Sequence, residues 1–511
     1  MFPIRTLRTL RTFRTLRPLY TLFALFLVAC GAKVPTSYTE ADIQPVIYPA
    51  YRDVTVPCNI APLHFHIDND SADALVTRIS IDDLEWTGSG ADVCPGLRQW
   101  KTMLERSMAE GNPIRVDVYA RYTDDWRHHS PFFWTVSPDS IDPYITYRLI
   151  SPSYVTFEDL TLNQRCLEDY DERVLYSNMI NGDEHYGHCI NCHHTQNYNP
   201  QRLQFHVRQT HGGTVVAYDG KVQKFDLRTD STLSAGIYPS WHPTQPWIVY
   251  SVNLTGQCFH TRDAQKIEVQ DTKSNLIFFD LEEQTVTPIT TDTTEYECYP
   301  TWSPDGKWLY YVCGQWKTPD TTVTLEFDII QRYTEMKYNI YRMPFDPATK
   351  RFGARELVYD AAAKGRSATL PRLSPDGRWL LFTEGDFGVF HIWHTSSDLY
   401  LMDLTTGAVR NAREINSPNV ESYHSWSSNG RWIIFSSRRD DGNFTRPFIA
   451  HFDDEGHFDA PFELPTDEPL FHREFLRSYN IPEFMTGPVI ITPQQFARVI
   501  LQDSIRVTLA P

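Results

Sequence analysis

The stretch Pro300-Thr301-Trp302-Ser303-Pro304-Asp305-Gly306-Lys307-Trp308-Leu309-Tyr310-Tyr311 decides the fold. It reads as strand, tight turn, strand, because Asp-Gly supplies the left-handed positions that a short hairpin requires. The pattern recurs three times. Pro239-Ser240-Trp241-His242-Pro243 runs into Ile248-Val249-Tyr250-Ser251. Pro371-Arg372-Leu373-Ser374-Pro375-Asp376-Gly377 runs into Trp379-Leu380-Leu381-Phe382, and His424-Ser425-Trp426-Ser427-Ser428-Asn429-Gly430 into Trp432-Ile433-Ile434-Phe435. Each is followed by a second pair of strands ending in Asp280, Asp346, Asp403 or Asp453. Two hairpins per unit make a four-stranded blade, and self-similar blades in series make a β-propeller.

These segments resemble the TolB-type propeller repeat, whose P-x-W-S-P-D-G-K-x-I-x-F core stands almost unchanged at 300–311. A fifth unit, Thr214–Tyr218 with Val222–Asp226, lacks the turn motif. The expectation is a mainly β protein whose propeller, over 205–465, has about five blades, with six as the alternative. A tail over 466–511 is expected to pack a helix, 493–501, on the propeller.

Upstream, the chain begins with a targeting segment over 1–29. Arg5, Arg8, Arg11, Arg14 and Arg17 make a basic region, and Leu19–Ala29 is an apolar run too short to span a bilayer. Leu27-Val28-Ala29-Cys30-Gly31 resembles the bacterial lipobox, which implies acylation at Cys30 and an exported protein held in the cell envelope by lipid. The resemblance favours the outer membrane, with the periplasmic side preferred to the cell surface. A polar tether over 30–45 follows. Period-two runs at 63–67, 74–79 and 114–120 then predict strands, and three-to-four spacing of Leu97, Trp100, Leu104 and Met108 predicts a helix over 97–110. A small β-sandwich-like domain over 46–154 is the reading. Net charge is −17 over 511 residues, with no basic stripe, which argues against a nucleic-acid partner.

Between the two folded parts, 155–204 carries Cys189-Ile190-Asn191-Cys192-His193, the C-x-x-C-H signature of c-type haem attachment. With 9 cysteines and 18 histidines in the chain, composition alone predicts roughly 0.006 such matches. A thioredoxin-like reading lacks its βαβ context, and a zinc reading lacks a second thiol pair. One haem c is therefore expected, bound through Cys189 and Cys192, with His193 as proximal ligand. The sixth ligand decides the chemistry: a strong His or Met ligand makes an electron carrier, whereas an open position permits peroxide chemistry. His206 is the favoured candidate, with His211 and Met179 as alternatives; His185 is also near, while His188 and His194 flank the motif too closely. Of the remaining cysteines, Cys298 and Cys313 flank Asp305-Gly306 almost symmetrically and form a candidate cross-strand disulfide, which a one-residue bulge would break.

The combination resembles a group of exported Bacteroidetes-type lipoproteins with one C-x-x-C-H and TolB-like repeats. The likeness runs through Asp139–Tyr144, the haem motif, Phe205–Arg208 and Tyr423–Ser427. It implies the architecture and little about role. The single haem motif beside a propeller leads to the expectation of an envelope cytochrome c whose propeller face docks a protein partner for electron transfer or redox sensing. The alternatives are a peroxidase-like haem enzyme and a non-catalytic protein- or glycan-binding scaffold with structural haem.

Overall fold

The computed structural model describes residues 32–152, 159–182, 189–262, 265–318 and 322–510. The targeting segment, Cys30, His185 and His188 lie outside the described residues.

The S-P-D-G-K-W signature folds as a hydrogen-bonded clip. The Ser303 hydroxyl donates to Asp305 Oδ1 (2.6 Å) and accepts from the Trp308 amide (2.9 Å), while Asp305 Oδ1 also takes the Lys307 amide. Gly306 sits at φ +69°, where a side chain would be strained. Ser374, Asp376 and Gly377 repeat the clip, as do Ser427, Asn429 and Gly430. In the second blade His242 replaces the serine, and its Nδ1 accepts from the Thr244 and Gln245 amides.

Six four-stranded sheets result. Their inner strands are Ile190–Gln196, Ile237–Trp241, Glu295–Trp302, Ser367–Leu373, Glu421–Trp426 and Ser478–Met485, and each lies against the next in a closed cycle. A single parallel pair, Ser274 with Tyr296, joins the second and third sheets edge to edge. The sixth sheet is a composite. Its inner strand comes from the C-terminus and pairs with Tyr144–Ile150, which continues outward to Thr161–Cys166 and Glu172–Ser177. The first sheet is completed by Ile190–Gln196, within the region read from sequence as a separate haem segment, and by Asn199–Val207, which crosses its boundary.

Three domain boundaries are corrected by this topology. Residues 155–204 do not form a unit of their own, the propeller begins at Tyr144, and the tail supplies its closing strand. The physical reason is that a last sheet built from both chain ends ties the first and last blades together by strand hydrogen bonds. Six sheets, the alternative count, replace five. The C-terminal helix, Pro493–Ile500, carries a capping box between Thr492 and Gln495, and it packs Phe496 and Ile500 into the core between the sixth and first blades.

The N-terminal part contains a seven-stranded sheet, a three-stranded sheet and the helix Leu97–Glu110. Trp100 and Trp134, both fully buried, meet edge to face within its core. That core is continuous with the fifth blade through Trp432, Ile434, Ile449 and Phe462.

The disulfide candidate does not survive the register. Cys298 pairs with Val312, and Cys313 pairs with Glu297, because the strand slips between Cys298 and Thr301. Period-two alternation then sends the two thiols to opposite faces of the sheet, and both are free. Non-reducing proteolysis is expected to release Cys298 and Cys313 on unlinked peptides; recovery of a linked pair would contradict this register.

Candidate functional site at the mouth of the central channel

Every inner strand carries one residue with φ near +50° that is not glycine: Cys192, Tyr238, Tyr299, Leu370, Tyr423 and Ile481. The register breaks at the same place in each strand. A left-handed residue in a bulge re-aims its side chain, and these six together line a gap of only about 20 Å³ in the channel. In four blades the next residue is proline (239, 300, 371 and 482); in the other two it is His193 and His424.

One step further along, the strands present His194, Ser240, Thr301, Arg372, Ser425 and Glu483, and behind them Thr195, Trp241, Trp302, Leu373, Trp426 and Phe484. All twelve line a funnel of about 560 Å³ that opens from the plugged channel. That volume lies within the roughly 300–1,000 Å³ of small-ligand sites. Neighbouring blades lock the indoles: Trp302 Nε1 donates to Ser240 O and Trp426 Nε1 to Arg372 O, each at 3.2 Å. Trp241 Nε1 has no partner among the described residues. Glu483 pairs with His194 at 3.2 Å. Burial opposes ionisation of Glu483, but His194 outweighs it and holds the carboxyl below its ordinary value. Arg372, half-buried in the funnel, makes no side-chain hydrogen bond or ion pair with a described residue. The funnel thus combines Arg372, which lies within electrostatic reach of Glu483 but forms no ion pair with a described residue, with hydroxyls and indole edges.

The haem-motif residues are distributed around this ring. Cys192 is 2% exposed and lies beside the Tyr238 backbone of the second blade. His193 is 3% exposed and turns the other way, to the Ile481 backbone of the sixth blade. Cys189 packs against the cluster between the sixth and first blades. Cys192 and His193 both line the gap of about 20 Å³ while Cys189 packs away from it, so the two thiols and the imidazole do not converge on one pocket, and the gap does not hold a porphyrin. His193 Nε2 is buried without a partner among the described residues, as an axial ligand would be. Yet His424, in the same slot of the fifth blade, donates from Nε2 to Leu381 O and likewise leaves Nδ1 without a partner among the described residues. Burial pushes His193 down to about 4 and His424 to about 3, so both rings are neutral. In this conformation the motif does not fit the group.

His206 pairs across the sheet with Asn191 and accepts or donates at Thr214 Oγ1 (3.2 Å). It lines a separate cavity of about 500 Å³ that also touches Arg208 and Arg228 but not Cys189, Cys192 or His193. Burial drives its imidazole down to about 3. His211 sits in a short 3-10 turn outside the inner strands, and Met179 is 61% exposed.

A serine–histidine–aspartate arrangement, missed in the sequence, lies where the two parts of the chain meet. Ser137 Oγ is 3.2 Å from His451 Nε2, and His451 Nδ1 is 3.1 Å from Asp459 Oδ2. Asp139 Oδ2 also sits 3.1 Å from the same Nε2. Burial works against charge on His451, but Asp459 and Asp139 outweigh it and raise its value. Asp139 shares Nε2 with Ser137, and both carboxylates favour the charged ring, so the arrangement is an ion-pair bridge rather than a nucleophile with a free base.

No family model matches the chain, and no curated protein matches it. Among solved structures it is similar to the GH74 enzyme of Niastella koreensis, at 12% identity and TM-score 0.37, over 62% of this chain and 44% of that one. A prolyl endopeptidase matches at 12% identity and TM-score 0.32, over 63% and 42%. An oligogalacturonate lyase in complex with manganese matches at 11% identity and TM-score 0.30, over 67% and 86%. The chain spans less than half the length of the first two. Likenesses this distant carry nothing about activity. The mainly β propeller rests on the sheet topology itself.

Proposed function

We propose that this chain is a binding protein whose funnel docks a protein partner of the cell envelope by taking in an acidic side chain or chain end. The observation that carries the reading is Arg372: a half-buried guanidinium that makes no ion pair with a described residue, in the hollow of about 560 Å³ at the channel mouth. A guanidinium favours a carboxylate, which it can hold through two parallel hydrogen bonds. Ser240, Thr301 and Ser425 stand at equivalent positions around it as hydroxyl partners. Rigid strands present all of these groups, so little ordering cost accompanies binding. A membrane-anchored position through Cys30 belongs to the same proposal, as an attachment that leaves the propeller free to meet its partner.

Fluorescence anisotropy with a panel of short acidic peptides tests it. Binding is expected that weakens with salt and falls about 10–100-fold in Arg372→Ala, the loss of one charged hydrogen-bonding group. Absence of binding across the panel, or affinity unchanged in Arg372→Ala, would refute the reading.

A second reading keeps the monohaem cytochrome. Its support is the rarity of the motif together with the His206 cavity, where Arg208 and Arg228 could meet propionates. It requires residues 189–193 to leave the inner strand of the first blade, so that Cys189, Cys192 and His193 face one way.

A further inference from the structure

We infer that Glu295, Glu297 and Cys313 form a binding site for one divalent ion of zinc's borderline character, at the end of the third blade opposite the funnel. Glu295 and Glu297 are two apart on the inner strand, so both side chains leave the same face, and Cys313 is the cross-strand partner of Glu297. One ligand atom from each lies within 4.8 Å of the other two. The three are 8%, 1% and 4% exposed.

An independent observation points to a missing ligand. Glu297 Oε2 is buried and has no hydrogen-bond partner among the described residues. The Tyr311 hydroxyl, on a fully buried side chain two residues before Cys313, faces the same cluster, with Cys313, Arg355 and Glu297 as its charged neighbours. A buried carboxylate oxygen left unpaired keeps its desolvation cost, and an ion that takes it up removes that cost.

Charge and donor type select the ion. Arg355 holds both oxygens of Glu295, which neutralises that carboxylate; Oε1 also accepts from Gln315, and Oε2 keeps a further lone pair. Glu297 and the Cys313 thiolate then carry two negative charges, which a dication balances. A thiolate beside carboxylates suits zinc rather than calcium or magnesium. The Arg355 side chain, 37% exposed, roofs the cluster and marks the way in.

The test uses the full chain, stripped with chelator and titrated with Co²⁺ as a spectroscopic probe, then with Zn²⁺ in competition. One equivalent of Co²⁺ is expected, with a thiolate-to-cobalt charge-transfer band that Zn²⁺ abolishes. The band should vanish in Cys313→Ser, and affinity should fall about a hundredfold in Glu297→Gln. Tyr311→Phe should keep the band, because the thiolate remains. Circular dichroism on each variant confirms that it is folded, and Glu297→Gln carries the test if Cys313→Ser does not fold. A wild-type protein without the band, or a folded Cys313→Ser or Glu297→Gln that binds cobalt as tightly as wild type, would overturn the site.

Discussion

Deleting residues 478–511 is expected to abolish the folded propeller. The deletion removes Ser478–Met485, every residue of which is buried, and with it the pairs from Tyr144–Met485 to Ile150–Ser478. Tyr144–Ile150 would become a naked inner edge facing the channel, and the ring would open between the fifth and first blades. Eight core residues and a whole ladder outweigh the roughly 5–15 kcal/mol by which a domain is stable. Deleting only 502–511 is the control. It removes two short strands added to the outer edges of the first and second blades, so a cooperative melt should persist. Circular dichroism and size exclusion read both outcomes. A shortened chain lacking 478–511 that still melts cooperatively as a monomer would show that the sixth sheet does not close the ring.

Trp432→Ala is expected to cost about 3–5 kcal/mol, the range for removing a fully buried tryptophan. Its indole is completely enclosed, packs in the core shared with the N-terminal part, and donates from Nε1 to Asp139 O at 3.1 Å. Trp308 occupies the same place after the turn in the third blade, yet it is only half-buried, with Arg342 over its ring at 4.3 Å. Trp308→Ala should therefore cost far less. Denaturant melts of the two variants side by side make the comparison. Equal losses would mean that the N-terminal part does not lean on the fifth blade.

The three blades with an Asp-Gly or Asn-Gly turn were legible because the clip chemistry needs particular residues at fixed offsets, and the second, with His242 in place of the serine, through its Trp-x-Pro spacing. Ser303, Asp305 and Gly306 are demanded by hydrogen bonds and a positive φ, so they recur as letters. The helix at Leu97–Glu110 was legible for the same reason, through its apolar spacing. The sixth blade was not. Its strands come from positions more than 300 residues apart, and Ser478–Met485 ends without a turn motif. A fainter signal was present: Ile481-Pro482-Glu483-Phe484 and Cys192-His193-His194-Thr195 align with Tyr299-Pro300-Thr301-Trp302. Only the common bulge, with its left-handed residue, reveals them as one slot repeated six times. The candidate site was hidden for a related reason. Arg372, Glu483 and His194 lie one per blade, so no local window of sequence brings them together.

That alignment changes what C-x-x-C-H means. A rare pentapeptide reads as a haem motif when its neighbours are unknown, but within the ring Cys192 and His193 fill positions held elsewhere by Tyr-Pro, Leu-Pro, Ile-Pro and Tyr-His. The most direct test is the intact mass and pyridine haemochrome spectrum of the full chain made in cells equipped for c-type haem maturation. With the segment in its strand, the protein should carry no covalent haem, and Cys192, 2% exposed, should be alkylated only after denaturation. A haem adduct in the mass spectrum, with a haemochrome abolished by Cys189→Ala plus Cys192→Ala, would contradict this placement and establish the cytochrome instead.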